Sequence, residues 1–259
     1  MTQPRLFLLD VEGTLAPLSL TNDHLFPYAR ARFESFLVEG FKAIESREGN
    51  FDKSKLLQDT FMHDLLLLQL ENRAEKDSRA PRILPVGADS ASPSYLLPKA
   101  LEYIYWLMDH DRKSTALNSM QGKIWKAGFA SGEIKGTIFD DVPRAFARWS
   151  PHAKIAIYSS GSVEAQHLLF RHSVFGDLTP YISAYFDTHI GQKTVAASYA
   201  AIAQTMQVST SEACFFSDVT RELDPAREAG MDTRLVCRAG NPSVASSSHP
   251  NIQSLDEMP

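Results

Sequence analysis

The chain has 259 residues with 26 basic and 31 acidic side chains, a net charge of -5, and 44% hydrophobic residues. This is a globular composition able to bury a core of one large domain or two smaller ones. The basic residues are scattered, so neither a nucleic-acid backbone nor an anionic membrane is an expected partner, and no apolar run nears the roughly 18 residues that span a bilayer.

In chain order, MTQPR precedes only four apolar residues, too few for the core of a secretory leader. RLFLLD (5–10) reads as a strand buried on both faces, because its apolar residues are continuous and not alternating. It ends on Asp10, and Glu12, Gly13 and Thr14 follow. The region 21–132 contains no convincing strand and four long helical patterns: FPYARARFESFLVEGFKAI, LLQDTFMHDLLLLQLENRAEK, YLLPKALEYIYWLMDHD and STALNSMQGKIWKAGFASG. Its apolar stripe DLLLLQL is expected in the interior of that helical block. SRAPRILPVGADSASPS (78–94), rich in Pro, Ser, Ala and Gly, reads as a loop between two of these helices.

From 133 the pattern returns to alternating strands and helices, with the sheet predicted to resume near residue 137. KIAIYSS (154–160), ACFFSD (213–218) and TRLVC (233–237) read as three further buried strands. Helices are predicted over Val163–Phe170, Val195–Met206 and Arg221–Ala229, the last closing at Gly230. Residues Pro242 to Pro250 are Ser-rich and are expected to be a mobile tail. Cys214 and Cys237 sit in apolar runs and read as small buried hydrophobes of a reducing compartment. A cytoplasmic location is therefore expected, with the nucleus also open in a eukaryote, and a monomer.

The alternation predicts a doubly wound α/β parallel sheet, residues 1–20 and 133–259, interrupted by an inserted all-helical cap over 21–132. In such sheets the ligand crevice lies outside the carboxyl ends of the strands. Three predicted strands end there in residues suited to phosphate or metal: Asp10 with Glu12, Ser159 with Ser160, and Asp218. Repulsion among Asp10, Glu12 and Asp218 would be costly without a divalent cation, and an all-oxygen set of few ligands suits Mg²⁺. Ser159 or Ser160, with N–H groups at the start of the next helix, could hold phosphate oxygens. Lys193 could add a fixed positive charge that keeps Asp10 ionised. Simpler roles compete with these: a strand-end turn for Asp10 and Glu12, a helix cap for Asp218, with Ser162 as the cap near Val163. Glu222 reads either as an acid supporting the site or as a solvated helix residue. No zinc motif, nucleophile elbow, GxGxxG or P-loop occurs.

D-V-E-G-T resembles the first motif of the haloacid dehalogenase-like hydrolases. The Glu at position 12, followed by HLFPYAR, DRKSTAL, QGKIW, GEIKG, VPRAF, IYSSGSVEAQHLLF, GDLTPYI, YFDTHIGQK, SDVTRE and EAG, is similar to the enolase-phosphatases of methionine salvage along nearly the whole chain. The resemblance implies an Asp10 nucleophile and Glu12 as general acid and base. It implies one Mg²⁺ per chain bound by Asp10, Glu12 through its backbone carbonyl, and Asp218, with Ser159, Ser160 and Lys193 on the phosphoryl oxygens. The implied substrate is 2,3-diketo-5-methylthiopentyl-1-phosphate, enolised and then dephosphorylated to an acireductone beneath the helical cap. The enolising base is left open between Glu12 and a cap side chain. A general Mg²⁺-dependent phosphatase of the same fold and a non-catalytic scaffold are the alternatives.

Overall fold

The computed structural model describes residues 3–46, 60–83, 93–242 and 247–259. The chain divides into two compact units, one formed by Met1–Asp23 and Ser131–Pro259 and the other by His24–Ala130.

The first unit is built on strands β1 (Leu6–Leu9), β2 (Lys154–Tyr158), β3 (Ala184–Phe186), β4 (Ala213–Ser217), β5 (Asp232–Val236) and β6 (Asn251–Ile252). They form one sheet in the order β3-β2-β1-β4-β5-β6, and every pairing is parallel. β1 is central: Leu9 lies opposite Ile157 of β2 on one side and Phe216 of β4 on the other. The chain winds outward from β1 to β3 and then returns to β4, so the strand order reverses beside β1. That reversal is where open α/β sheets place their ligand crevice.

The continuous apolar runs are explained by the two faces they serve. Leu6 and Leu8 of β1 pack with Tyr199, Ile202 and Leu223 in one buried cluster. Phe7, pointing the other way, stacks on Trp149 with ring centroids 4.1 Å apart and meets Phe216 at 6.0 Å. A strand covered on both faces has no polar position to alternate with.

The second unit holds helices and no strand among its described residues. In chain order its helices are α1 (Phe26–Glu45), α2 (Thr60–Ala74), α3 (Pro93–Asp109) and α4 (Thr115–Ser131, whose last residue belongs to the first unit). Phe33, Leu37, Phe61, Leu65, Leu68, Ile104 and Met120 share its core. The stripe DLLLLQL does not turn wholly inward: Leu65 and Leu68 are buried, whereas Leu66 and Leu70 are 43% and 58% exposed. Seven consecutive positions cannot all face one side of a 3.6-residue period. Part of the predicted second helix (56–59) and part of the predicted loop (84–92) lie outside the described residues.

Three predictions for the first unit are corrected. The sheet does not resume near 137; helix α5 (Asp141–Trp149) comes first, and the next strand is β2. The strands β3 and β6 were not predicted, being three and two residues long. The tail is anchored where it is described. His249 is buried, with Nδ1 at 2.8 Å from the Thr233 hydroxyl and Nε2 at 3.0 Å from Asp224. Residues 243–246 of the predicted mobile tail lie outside the described residues.

Candidate active site

Each strand end delivers its residues for a local reason. The Asp10 N–H is the last rung of the sheet, donating to the Phe216 carbonyl at 2.9 Å. The chain then turns sharply, with the N–H groups of Leu15 and Ala16 both donating to the Val11 carbonyl at 2.8 Å. Gly13 takes a φ of +74°, which L side chains rarely adopt. A Cβ built there would lie 2.2 Å from Asp218 Oδ2, so glycine is what allows the β1 turn to approach Asp218. Gly13→Ala is therefore expected to displace Asp218 and to cost about 1–2 kcal/mol in backbone strain alone; thermal melting and Mg²⁺ titration of that variant check both effects.

Lys193 joins residues from three parts of the sequence. Its Nζ contacts Asp10 Oδ1 directly and donates to Glu222 Oε2 at 2.8 Å, with all three side chains largely buried. Glu222, on helix α8 (Thr220–Glu228), also accepts from the Ser217 hydroxyl at 3.1 Å. The loop carrying Lys193 is braced by two phenols: Tyr199 of helix α7 (Ala196–Thr205) shares its hydroxyl proton between the carbonyls of Lys193 and Glu222, both at 2.8 Å, and Tyr158 donates to the Gly191 carbonyl at 2.9 Å. Burial pushes the phenols of Tyr158 and Tyr199 up, which keeps them neutral donors.

Burial also pushes Asp10 up to about 7, outweighing the opposing pull of Lys193. Lys193 pulls toward the ionised form of Asp10, as expected of it, but is shared with Glu222, whose charge works against Asp10. Asp218 is raised to about 6 by burial, with Glu222 and Glu12 adding repulsion. Its Oδ1 is buried with no hydrogen-bond partner among the described residues, while Oδ2 accepts from the Asn241 amide at 3.2 Å. A second positive charge beside Asp10 and Asp218 fits this donor set: hard oxygens, excess negative charge, and one buried oxygen free of hydrogen bonds. Among the described residues no three His, Cys, Asp or Glu side chains cluster as a metal site. The Glu12 carboxylate itself turns aside to accept from the Thr21 hydroxyl.

At the end of β2, Ser159 is buried and its hydroxyl accepts from Gly161 N–H at 3.1 Å, while Ser160 is exposed. Helix α6 (Val163–Arg171) is capped within the protein: Ser162 accepts from Ala165 N–H at 3.2 Å, and Asp187 accepts from Val163 N–H at 3.3 Å. Those two N–H groups, which the sequence offered to phosphate, are already engaged. Asp218 is not a side-chain cap for α8, whose cap position is Val219.

Sequence reading left Glu222 undecided and missed Asn241 and Asp187. Glu222 ends the SDVTRE motif four residues after Asp218, which is the sequence signal that could have raised it. Asp187 lies in the YFDTHIGQK motif; nothing in the sequence marks Asn241.

No protein-family profile matches the chain. An enolase-phosphatase E1 from Synechococcus elongatus is 43% identical over 252 residues, covering 97% of this chain and 96% of that protein. Enolase-phosphatase E1 from Leptospira borgpetersenii is 38% identical over 254 residues, covering 98% and 97%. Among solved structures, the UTR4 protein of Saccharomyces cerevisiae matches with a TM-score of 0.74 and 27% identity, covering 99% of this chain and 100% of that one. A 2-haloacid dehalogenase from Pseudomonas syringae shares the fold at a TM-score of 0.52 and 14% identity, covering 98% and 96%. With sheet order, strand-end acids and full-length similarity in agreement, the chain belongs to the enolase-phosphatase E1 family, on the haloacid dehalogenase-like fold.

Proposed function

We propose that the carboxyl edge beside β1 is the active centre of this phosphatase, with Asp10 as nucleophile and Glu12 as general acid and base. The observation that carries this is the buried contact of Asp10 with Lys193, in a chain segment where Asp218 approaches through the Gly13 turn. Asp10 attacks phosphorus in line and becomes an aspartyl-phosphate as the ester oxygen leaves. Glu12, outside the Lys193 ion pair and oriented by Thr21, gives a proton to that oxygen and then takes one from the hydrolytic water. Lys193 spreads positive charge over the transferring phosphoryl oxygens, and the Ser159 and Ser160 strand end orients them. Mg²⁺, held by Asp10, the Glu12 carbonyl and Asp218, would offset charge on the transferring group.

The substrate that fits the family is 2,3-diketo-5-methylthiopentyl-1-phosphate, which is enolised before its phosphate is removed to give the acireductone. Two free cysteines, one of them buried, accord with a reducing cytoplasm. Among the described residues no helix is long and apolar enough to cross a membrane. The test compares kcat/KM for the diketo substrate with that for a simple aryl phosphate. A strong preference for the diketo compound is expected; equal efficiency on both would leave a general phosphatase on this scaffold.

A further inference from the structure

The turn after β5 reaches back to the β1 turn at two adjacent carbonyls. Arg238 and Asn241 are the ends of a tight turn closed by a 3.1 Å hydrogen bond from Asn241 N–H to the Arg238 carbonyl. Its third residue, Gly240, has a φ of +92°, which such turns commonly assign to glycine. From one end, Arg238 donates to the Thr14 carbonyl through Nε at 3.0 Å and Nη2 at 2.9 Å. From the other, the Asn241 amide donates to the Gly13 carbonyl at 2.8 Å and to Asp218 Oδ2 at 3.2 Å.

Both partners of Asn241 are acceptors, so the orientation of its amide is dictated: the NH₂ faces the site. The same NH₂ therefore ties the β1 turn, which carries the Glu12 carbonyl, to the carboxylate that ends β4. By engaging Oδ2, it leaves Asp218 Oδ1 as the buried oxygen without a hydrogen bond. The two Asn241 contacts and the Gly13 slot together set the orientation of Asp218.

We infer that Asn241 is a positioning residue for the divalent-cation site, acting through Asp218 Oδ2 and the Gly13 carbonyl and touching neither substrate nor cation. The inference rests on Asp218 being a cation ligand. Loss of a hydrogen-bonding partner of a metal ligand typically lowers metal affinity about 10–100-fold.

The experiment is calorimetric titration of the full chain, stripped of metal, with Mg²⁺ alone. Wild type is compared with Asn241→Ala, Asn241→Leu and Asp218→Asn, and melting of each metal-free protein is recorded. The alanine and leucine variants should both lose roughly 10–100-fold in Mg²⁺ affinity. The Mg²⁺ needed for half-maximal turnover should rise in step, and kcat should recover at saturating Mg²⁺. Leucine keeps the volume without the donor, so a cavity is not what is measured. Asp218→Asn should bind Mg²⁺ more weakly than any Asn241 variant. Wild-type Mg²⁺ affinity in both Asn241 variants beside weak binding by Asp218→Asn would overturn the role of Asn241 alone. A kcat that stays low at saturating Mg²⁺, with a lowered metal-free melting temperature, would overturn it in favour of a merely structural contact. Wild-type affinity in Asp218→Asn would overturn the cation site itself, and this inference with it.

Discussion

Asp10→Asn is expected to lose phosphate release by roughly 10⁶-fold in kcat, the loss seen when a serine hydrolase is stripped of its nucleophile. The substitution keeps shape and burial, and the asparagine carbonyl can still accept from Lys193. Fold should therefore be retained. The variant also removes a carboxylate whose ionised form is penalised by burial, so the metal-free variant should melt no lower than wild type near neutral pH. Steady-state phosphate release and thermal melting check the two halves separately. Activity within tenfold of wild type would move the nucleophile elsewhere.

The second large effect is expected at Arg238, on the turn that braces the β1 turn. Its guanidinium is buried and donates to Asp141 Oδ2 at 2.6 Å, besides the two bonds to the Thr14 carbonyl. It also lies over the Phe139 ring, 4.3 Å from the centroid. The same Asp141 oxygen accepts from the Ser254 hydroxyl at 2.8 Å and from Leu255 N–H at 2.7 Å. One buried carboxylate thus joins α5, the turn after β5 and the C-terminal tail. Arg238→Met leaves Asp141 buried and uncompensated, which typically costs about 3–5 kcal/mol. At about 2–4 °C per kcal/mol for a chain of this size, the melting temperature should fall by on the order of 10 °C.

This effect has a pH signature. Burial opposes the ionised form of Asp141, but the Arg238 guanidinium, the Leu255 N–H and the Ser254 hydroxyl outweigh it and hold its carboxyl below the usual range. A carboxylate lowered in this way contributes stability above its unfolded value, and that contribution is lost as pH falls through the folded value. The melting difference between wild type and Arg238→Met should therefore be full at neutral pH and shrink below about pH 4. A difference that grows toward acid would contradict this account of the pair.

How much of this was legible in sequence depends on whether the cause is local. β1, β2, β4 and β5 were readable because burial on both faces leaves an unbroken apolar run. β3 and β6 were not. Ala184–Phe186 is only half-buried at two of its three positions, and Asn251–Ile252 pairs because His249, Ser254 and Leu255 dock on distant partners. Pro242 to Pro250 looked mobile because serine and proline carry no packing signal, while His249 docks on Thr233 and Asp224.

The same division holds in the site. Asp10, Glu12, Ser159, Ser160 and Asp218 stand at strand ends, and strand ends can be read from hydrophobic pattern. Lys193 was visible only through its motif, and its sharing between Asp10 and Glu222 depends on how a loop folds over Tyr158 and Tyr199. Asn241 acts across 228 positions on Gly13, and no local pattern reports that.

The central claim is that one chain both enolises the diketo phosphate and removes its phosphate at the Asp10 centre. It is tested most directly by following acireductone absorbance and phosphate release together, in wild type and Asp10→Asn, with Mg²⁺ present and after chelation. The account predicts one phosphate per acireductone for wild type with Mg²⁺, and loss of both on chelation. Asp10→Asn should release no phosphate. Phosphate release without acireductone, or release that continues in Asp10→Asn, would contradict it.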